Sequence, residues 1–210
     1  MSTSNSESGA GEDGVIQALR WLDAGRRVAL AMVMTAWDGA ACAAGSVLVV
    51  AENGDAAGSV SRGCIEESVI GQALRAIADG EQRLLTYCVA DAVAREQAGL
   101  EGGGRIEVLL EPLDPGGGGH RLLGRAATAR AEGRPVALVA DLITGMKTLV
   151  YPHAVHGGFG LDAPVLAAVR RCLAEGRSAV LEPGEESRLF VQVFGVPGAV
   201  RDGFDRPGPV

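Results

Sequence analysis

The chain has 210 residues, of which 47% are hydrophobic and 21% charged, so it can bury a core without disulfides and is not disordered as a whole. Its net charge of −7 argues against nucleic acid and anionic membrane surfaces as partners. The polar, acidic residues 1–14 do not resemble a signal peptide, and the four cysteines form no CxxC pair. We therefore expect a cytoplasmic protein with reduced thiols that does not enter a membrane.

Low-complexity segments divide the chain. Residues 1–14 and 197–210 are rich in Gly, Pro, Ser and acidic side chains, and we expect both to be disordered tails. Residues 114–120 contain four consecutive glycines, which favour neither a helix nor a strand, so a flexible linker is predicted there. The ordered part then consists of residues 15–113 and residues 121–196.

The first block alternates helical and extended patterns. Apolar residues at helical spacing predict a helix over 15–24 that ends at Gly25, and a second helical pattern follows Gly63. Extended segments are predicted at 28–34, 46–50, 56–60, 83–87 and 105–111.

The second block repeats the order of elements in the first. Gly25-Arg26-Arg27 precedes an apolar strand, as does Gly133-Arg134-Pro135. Because hairpin signals and helical crossovers both occur, the sequence predicts an α/β (α+β) fold with a mixed β-sheet, flanking helices and an internal duplication. The alternative is that two unrelated α/β halves share a generic order of elements.

The most informative motif is a turn between a strand and a helix, Gly58-Ser59-Val60-Ser61-Arg62-Gly63-Cys64-Ile65-Glu66. With Gly63 as the N-cap, Cys64 is the first helical residue and Glu66 the third, and free N–H groups of this turn can bind an anion. The helix dipole and Arg62 are expected to lower the pKa of the Cys64 thiol. We therefore predict a site for an anion and a thiolate; the alternative is a buried, inert cysteine.

Two further segments are weaker candidates. Gly102, Gly103 and Gly104 precede a strand and would let a ligand contact the backbone closely, although a flexible loop explains them equally well. The loop over 37–45, which contains Cys42, is unusually rich in alanine for a surface loop, which favours packing against a partner or a ligand.

Other chemistry is not favoured. His153 and His156 have no third ligand nearby in the sequence, so we expect surface histidines and no metal site. Cys88 and Cys172 lie in apolar contexts and are predicted to be buried in the core. The sequence contains neither the G-x-S-x-G elbow of a serine hydrolase nor a G-x-x-x-x-G-K-[ST] phosphate loop.

The turn around Cys64 resembles the G-S-V-S-G-G-C-V-E signature of the XdhC/CoxI family. Gly102-Gly103-Gly104-Arg105-Ile106-Glu107-Val108, followed by Glu111-Pro112-Leu113, is similar to a second signature, C-G-G-x-I-E-V with a trailing E-P-L. Thr35-Ala36-Trp37 and Gly45-Ser46 resemble the flanks of a third motif, T-x-G-S-S-P-R-x-x-G.

This resemblance extends over residues 15–193. It implies an accessory protein for molybdenum hydroxylases, because members of the family bind the molybdenum cofactor (molybdopterin), protect it during sulfuration and pass it to the apo-enzyme. By this resemblance the cofactor is bound transiently and Cys64 is a cofactor-binding thiol. The candidate cofactor-binding residues are those of the turn and of the two weaker segments: Ser59, Ser61, Arg62, Gly63, Cys64, Glu66, Cys42, Gly102, Gly103 and Gly104.

The chain departs from the family pattern in three ways. Gly102 stands where the second signature has a cysteine. In the third motif, Cys42 stands in place of the arginine, and residues 38–41 stand in place of the Gly-Ser-Ser-Pro before it. Many members also continue into a Rossmann half, which would begin near Val210. Either Cys42 replaces the missing thiol in space, or a separate Rossmann-domain chain supplies the other half.

The leading hypothesis is a molybdenum cofactor insertion factor for a xanthine dehydrogenase or CO dehydrogenase-type hydroxylase, which binds and transfers the cofactor rather than turning over a substrate. One alternative is a thiol-dependent sulfur transferase or oxidoreductase with Cys64 as the catalytic nucleophile and a cysteine desulfurase as a partner. Another is a degenerate module that only binds a partner chain. The sequence does not decide whether the protein forms a homodimer.

Overall fold

The computed structural model of the protein describes residues 13–36, 40, 42–89, 104–184 and 187–195. The elements of the first half are α1 (Gly14–Asp23), β1 (Val28–Thr35), β2 (Val47–Ala51), β3 (Ala56–Gly58), α2 (Glu66–Asp79), β4 (Arg83–Val89) and β5 (Gly104–Leu113). Those of the second half are α3 (Gly118–Ala131), β6 (Val136–Asp141), β7 (Lys147–Val150), β8 (Val155–Gly157), α4 (Ala163–Glu175), β9 (Ala179–Gly184) and β10 (Ser187–Phe194).

Each half forms one five-stranded sheet, and the two sheets have the same topology. The strand orders are β3-β2-β1-β5-β4 and β8-β7-β6-β10-β9, so corresponding elements occupy corresponding places. The α+β fold class is thereby confirmed, and the repeated topology is consistent with an internal duplication.

The sheets differ from the predicted mixed sheet, because every strand pair is antiparallel. The helical crossover through α2 does connect two strands of the same direction, β3 and β4. These strands lie at opposite edges of the sheet, with β2, β1 and β5 between them. The crossover therefore creates no parallel neighbours.

Three apolar clusters hold these layers together. The central cluster lies between the two sheets and includes side chains of α1 and α3, among them Leu22, Leu30, Leu123, Leu138 and Phe190. A second cluster packs α2 on the outer face of the first sheet, and a third packs α4 on the second sheet. Because the central cluster draws on both halves, neither half covers its inner face alone.

The ends of the predicted linker and of the first tail are more regular than expected. Asp13 accepts a hydrogen bond from the Val15 N–H at 3.0 Å and so caps α1. Helix α3 begins at Gly118, inside the stretch predicted to be a flexible linker. The start of α3 packs against the Leu113 side chain at the end of β5, which would have to move to admit a side chain at Gly119. The remaining residues of both predicted tails lie outside the described residues.

None of the helices in the described ranges has the length and apolar character needed to cross a lipid bilayer.

Candidate functional site

The turn between β3 and α2 places Cys64 at the protein surface. Helix α2 begins at Glu66 with Ile65 as its N-cap, so Cys64 lies outside the helix, one residue before the cap. The prediction that Gly63 is the N-cap and Cys64 the first helical residue is therefore wrong by two positions. The thiol is exposed. The alternative of a buried, inert cysteine is thus excluded as well.

The reason for the later helix start is the side chain of Glu66, which folds back over the turn. One carboxylate oxygen accepts hydrogen bonds from the Ser59 hydroxyl at 2.6 Å and from the Ser61 N–H at 2.8 Å. The other accepts from the Gly63 N–H at 2.7 Å and from the Ser61 hydroxyl. The anion predicted for this turn is therefore supplied by the chain itself, and its donors surround the Glu66 carboxylate.

The same contacts explain the acidity of Glu66. Partial burial of the carboxyl group raises its pKa, but the hydrogen bonds from Ser59, Ser61 and Gly63 favour the ionised form and outweigh burial. The pKa is lowered from 4.5 to about 2. At neutral pH the Glu66 carboxylate is therefore ionised and accepts the hydrogen bonds that hold the turn.

Arg62 occupies a backbone conformation that suits glycine. Its φ of +58° makes it, within the described ranges, the one residue other than glycine with a positive φ. The signature quoted above has glycine at this place, and glycine adopts a positive φ without strain. Because arginine has a side chain, it is accommodated here at some cost in backbone strain. Its N–H donates to the Ser59 hydroxyl at 2.8 Å, and its side chain is exposed next to Cys64.

Cys42 lies beside the turn. Its Sγ is 3.9 Å from the Ser59 Oγ, and the residue is buried in the cluster beneath α2. The chain thus has an exposed thiol at Cys64 and a buried thiol near the base of the same turn. Gly102 and Gly103 lie outside the described residues, as do residues 37–39 and 41, and Gly104 begins β5.

The acidic residues of the second signature contact the other half of the protein. Glu107 is buried in β5 and accepts hydrogen bonds from Thr35 at 3.0 Å and from Arg188 of β10 at 2.7 Å. Burial raises the pKa of Glu107, but Arg188 and Thr35 outweigh it and lower the pKa below its usual value. Gln192 of β10 also donates to the Gly45 carbonyl oxygen at 2.9 Å.

Glu111 forms a second ion pair between the halves. Its carboxylate is 2.9 Å from the Nζ of Lys147 in β7, and both side chains are largely buried. Burial raises the pKa of Glu111, and the charge of Lys147 counteracts this effect only in part. Two motif carboxylates thus join the halves. Carboxylates within an otherwise apolar stretch such as Ile106 to Leu113 are a sequence signal for buried cationic partners.

The remaining sequence predictions can also be placed. His153 and His156 are exposed, as expected, and Cys172 is buried. Cys88 is exposed, contrary to prediction, because β4 is an edge strand and only one of its faces is covered by α2. Within the described ranges, no three His, Cys, Asp or Glu side chains converge as metal ligands would.

Comparison with known proteins agrees with the sequence motifs. Residues 21–88 match the sequence model of the XdhC and CoxI family, which confirms the resemblance over this segment. The matched segment runs from α1 to β4 and includes the turn with Cys64 and Glu66. No curated protein matches the chain.

A solved structure shares the fold. It is a crystal structure of a protein from Bacillus halodurans described as a xanthine dehydrogenase, with a TM-score of 0.61 and 22% sequence identity. The similarity covers 87% of this chain but 53% of the Bacillus protein, so the chain spans about half the length of that relative.

Proposed function

We propose that the protein is an accessory protein of a molybdenum hydroxylase that binds the molybdenum cofactor at Cys64 and inserts it into an apo-enzyme of the xanthine dehydrogenase or CO dehydrogenase type. The match of residues 21–88 to the XdhC and CoxI family supports the accessory role. The observation that carries the cofactor proposal is the exposed Cys64 thiol on a turn anchored by Glu66.

The groups in the turn fit one part of this cofactor. Molybdopterin carries a sulfur-ligated metal and a phosphate group. Cysteine sulfur is a soft ligand that suits such a metal, and the exposed Arg62 next to it can pair with an anionic group. The N–H groups of Ser61 and Gly63 already donate to Glu66, so they are not available to the phosphate. Cys64 and Arg62 are therefore the residues that would hold the cofactor here.

Copurification tests this proposal. The wild-type protein and a Cys64→Ser variant are purified from cells that make the cofactor, and the bound pterin is oxidised and measured by its fluorescence. We expect the variant to lose most of the bound pterin because its ligating sulfur is gone. Cys88→Ser is the matched control, since Cys88 is also an exposed thiol but lies on the edge strand β4. A Cys64→Ser protein that retains as much pterin as the wild type would contradict the proposal.

The exposed thiol of Cys64 also favours a second candidate function, sulfur transfer. In this reaction the Cys64 thiolate attacks the outer sulfur of a cysteine desulfurase persulfide; Cys64 becomes the persulfide and the desulfurase thiolate leaves. Incubation with a desulfurase and free cysteine, followed by mass spectrometry, tests this step. A mass gain of one sulfur atom on Cys64 supports it, and an unmodified Cys64 contradicts it.

Association with the hydroxylase is tested separately. We expect the apo-enzyme to capture the cofactor-loaded protein in a pulldown, and the holo-enzyme to capture less of it. Equal capture with and without cofactor would instead indicate a module that only binds a partner chain.

A further inference from the structure

A groove lies in the second half, between α3 and the hairpin of β7 and β8. It consists of two adjoining cavities of about 700 and 570 Å³ that share Arg125 in their walls. Cavities of this size are typical of sites for small organic ligands. The groove lies outside residues 21–88 and includes none of the candidate residues around Cys64, so its ligand does not depend on the function proposed above.

The side chains of Arg and Lys line the groove. Its cationic lining residues are Arg121, Arg125, Arg134 and Lys147. Of the described residues that line it, none is Asp or Glu. Arg125 is exposed and forms no ion pair within the described part of the chain, whereas Arg134 pairs with Glu132 and Lys147 with Glu111. A concave surface of this kind concentrates positive potential, although the whole chain has a net charge of −7.

The duplicated architecture provides an internal comparison. In the first half, the Ala51 N–H donates to the Asp55 carbonyl oxygen at 2.8 Å; in the second, the Tyr151 N–H donates to the Ala154 carbonyl oxygen at 2.8 Å. Asp55 directly precedes β3 and Ala154 directly precedes β8, so the two positions are structurally equivalent.

At these equivalent positions the two halves differ in charge. In the first half, Arg26 is neutralised by Asp55 at 2.8 Å across the hairpin. In the second half, the corresponding Arg134 faces a hairpin in which Ala154 stands at the position of that aspartate. The fold does not require the carboxylate, because the same hydrogen bond closes both hairpins. The β7–β8 hairpin thus contributes no carboxylate to the groove, and Arg134 pairs with the neighbouring Glu132 instead.

The two ends of the groove suit different chemical groups. At one end Arg121 and Arg125 lie near Gly157 and Gly158. Guanidinium groups bind phosphate oxygens in a bidentate manner. The other end contains Tyr151 and His156, whose ring centroids are 5.7 Å apart with an interplanar angle of 79°. These rings provide an apolar surface for a flat heterocycle.

We infer that this groove binds a nucleotide, with its phosphate groups at Arg121 and Arg125 and its base against Tyr151 and His156. The anchoring residue is Arg125, which lines both cavities and has no ion-pair partner among the described residues. The distribution of cationic and aromatic groups orients the ligand along the groove.

Calorimetric titration with ADP as the probe tests this inference. We expect saturable binding to the wild-type chain and an affinity about tenfold lower for Arg125→Gln, because a charge-assisted contact to phosphate is lost. Arg170→Gln is the matched control, since it removes the same charge from an exposed position on α4. Absence of saturable ADP binding, or equal weakening by both substitutions, overturns the inference.

Pyrophosphate and a second variant test the orientation. ADP is expected to bind more tightly than pyrophosphate, and Tyr151→Ala should weaken ADP binding while leaving pyrophosphate binding unchanged. If ADP binds no more tightly than pyrophosphate, the placement of the base at Tyr151 is wrong.

Discussion

Three glutamates in this protein are stabilised by different kinds of neighbour. Glu66 is surrounded by neutral donors, Glu107 lies against the guanidinium of Arg188, and Glu111 pairs with the ammonium of Lys147. Several hydrogen bonds to one carboxylate can lower its pKa as strongly as an adjacent cation. The pKa of Glu66 is accordingly about 2 although its donors are serines and backbone amides.

Substitution of Glu66 by glutamine should loosen the turn that carries Cys64. The amide has one acceptor oxygen where the carboxylate has two, so we expect the free energy of unfolding at pH 7 to fall by about 1–2 kcal/mol. Urea denaturation measures this difference. Glu67→Gln is the control, because Glu67 is the next residue in α2 and is exposed; it should leave the unfolding free energy unchanged.

The same pair of proteins gives a pH test. Folding lowers the pKa of Glu66. The ionised carboxylate therefore stabilises the folded state fully above pH 4.5, and this stabilisation disappears as the pH falls through about 2. The difference in unfolding free energy between wild type and Glu66→Gln should therefore shrink between these pH values. A difference that stays constant over this range would show that the ionised carboxylate is not what holds the turn.

At this scale the sequence indicated which residues form the turn but not their arrangement. Ser59, Ser61, Gly63 and Glu66 were expected to bind a cofactor, and in the structure the first three donate hydrogen bonds to the carboxylate of the fourth. Spacing alone could not reveal that Glu66 would be the anion, because that depends on its side chain turning back by several residues. The start of α2 was misplaced for the same reason.

At the level of elements, the β2–β3 and β7–β8 hairpins are the best evidence for equivalent halves. Gly58 and Gly157 both pack against the preceding strand, where a side chain would overlap the Val47 carbonyl oxygen in one half and Thr148 in the other. The next residue in each half, Ser59 or Gly158, donates its N–H to the facing strand. Glycine is therefore required by close approach of backbone in both repeats.

Gly58→Ala should be far more destabilising than Gly54→Ala. The two glycines have φ values of +89° and +90°, so the backbone strain of an alanine is similar at both. At Gly54 the new methyl group meets nothing within 4 Å, and we expect a loss of about 1 kcal/mol. At Gly58 it meets the backbone of Val47, and we expect a loss of at least about 3 kcal/mol by urea denaturation. Equal losses would mean that the hairpin accommodates the methyl group.

The elements themselves were largely predictable. Continuous apolar runs such as 28–34 and 136–140 are typical of strands that are buried on both faces. The sequence therefore predicts where these strands lie, and the structure has strands there. Strand order was not predictable in the same way, since nothing local in β3 or β4 shows that three strands separate them. Cys88 was misplaced because an edge strand cannot be recognised from its own residues.

At the scale of the whole molecule, two ion pairs join the halves across an interface that is otherwise largely apolar. The central cluster is flanked by the Glu107–Arg188 and Glu111–Lys147 pairs, each with one partner in each half. Burying a charge is costly unless a counter-charge accompanies it, so these pairs penalise any alternative packing of the halves. We expect them to contribute more to the specificity of packing than to net stability.

A double-mutant cycle on Glu111 and Lys147 measures this effect. Lys147→Met and Glu111→Leu should each lower the unfolding free energy by about 3 kcal/mol, because each leaves a buried charge without its partner. The double variant should lie within about 1 kcal/mol of the wild type. Arg177→Met is the control, since its pair with Glu175 is exposed, and it should have no measurable effect. Additive losses in the double variant would show that the two side chains act independently.

The shared central cluster also constrains the history of the molecule. If both halves descend from one repeat, that repeat had an uncovered apolar face, formed by one face of its sheet and by the helix that corresponds to α1. Pairing with another copy of itself would have covered that face. Gene fusion would then have turned a symmetric dimer into a single chain, after which the two copies were free to diverge, so that today Cys64 and Asp55 have no counterparts in the second half.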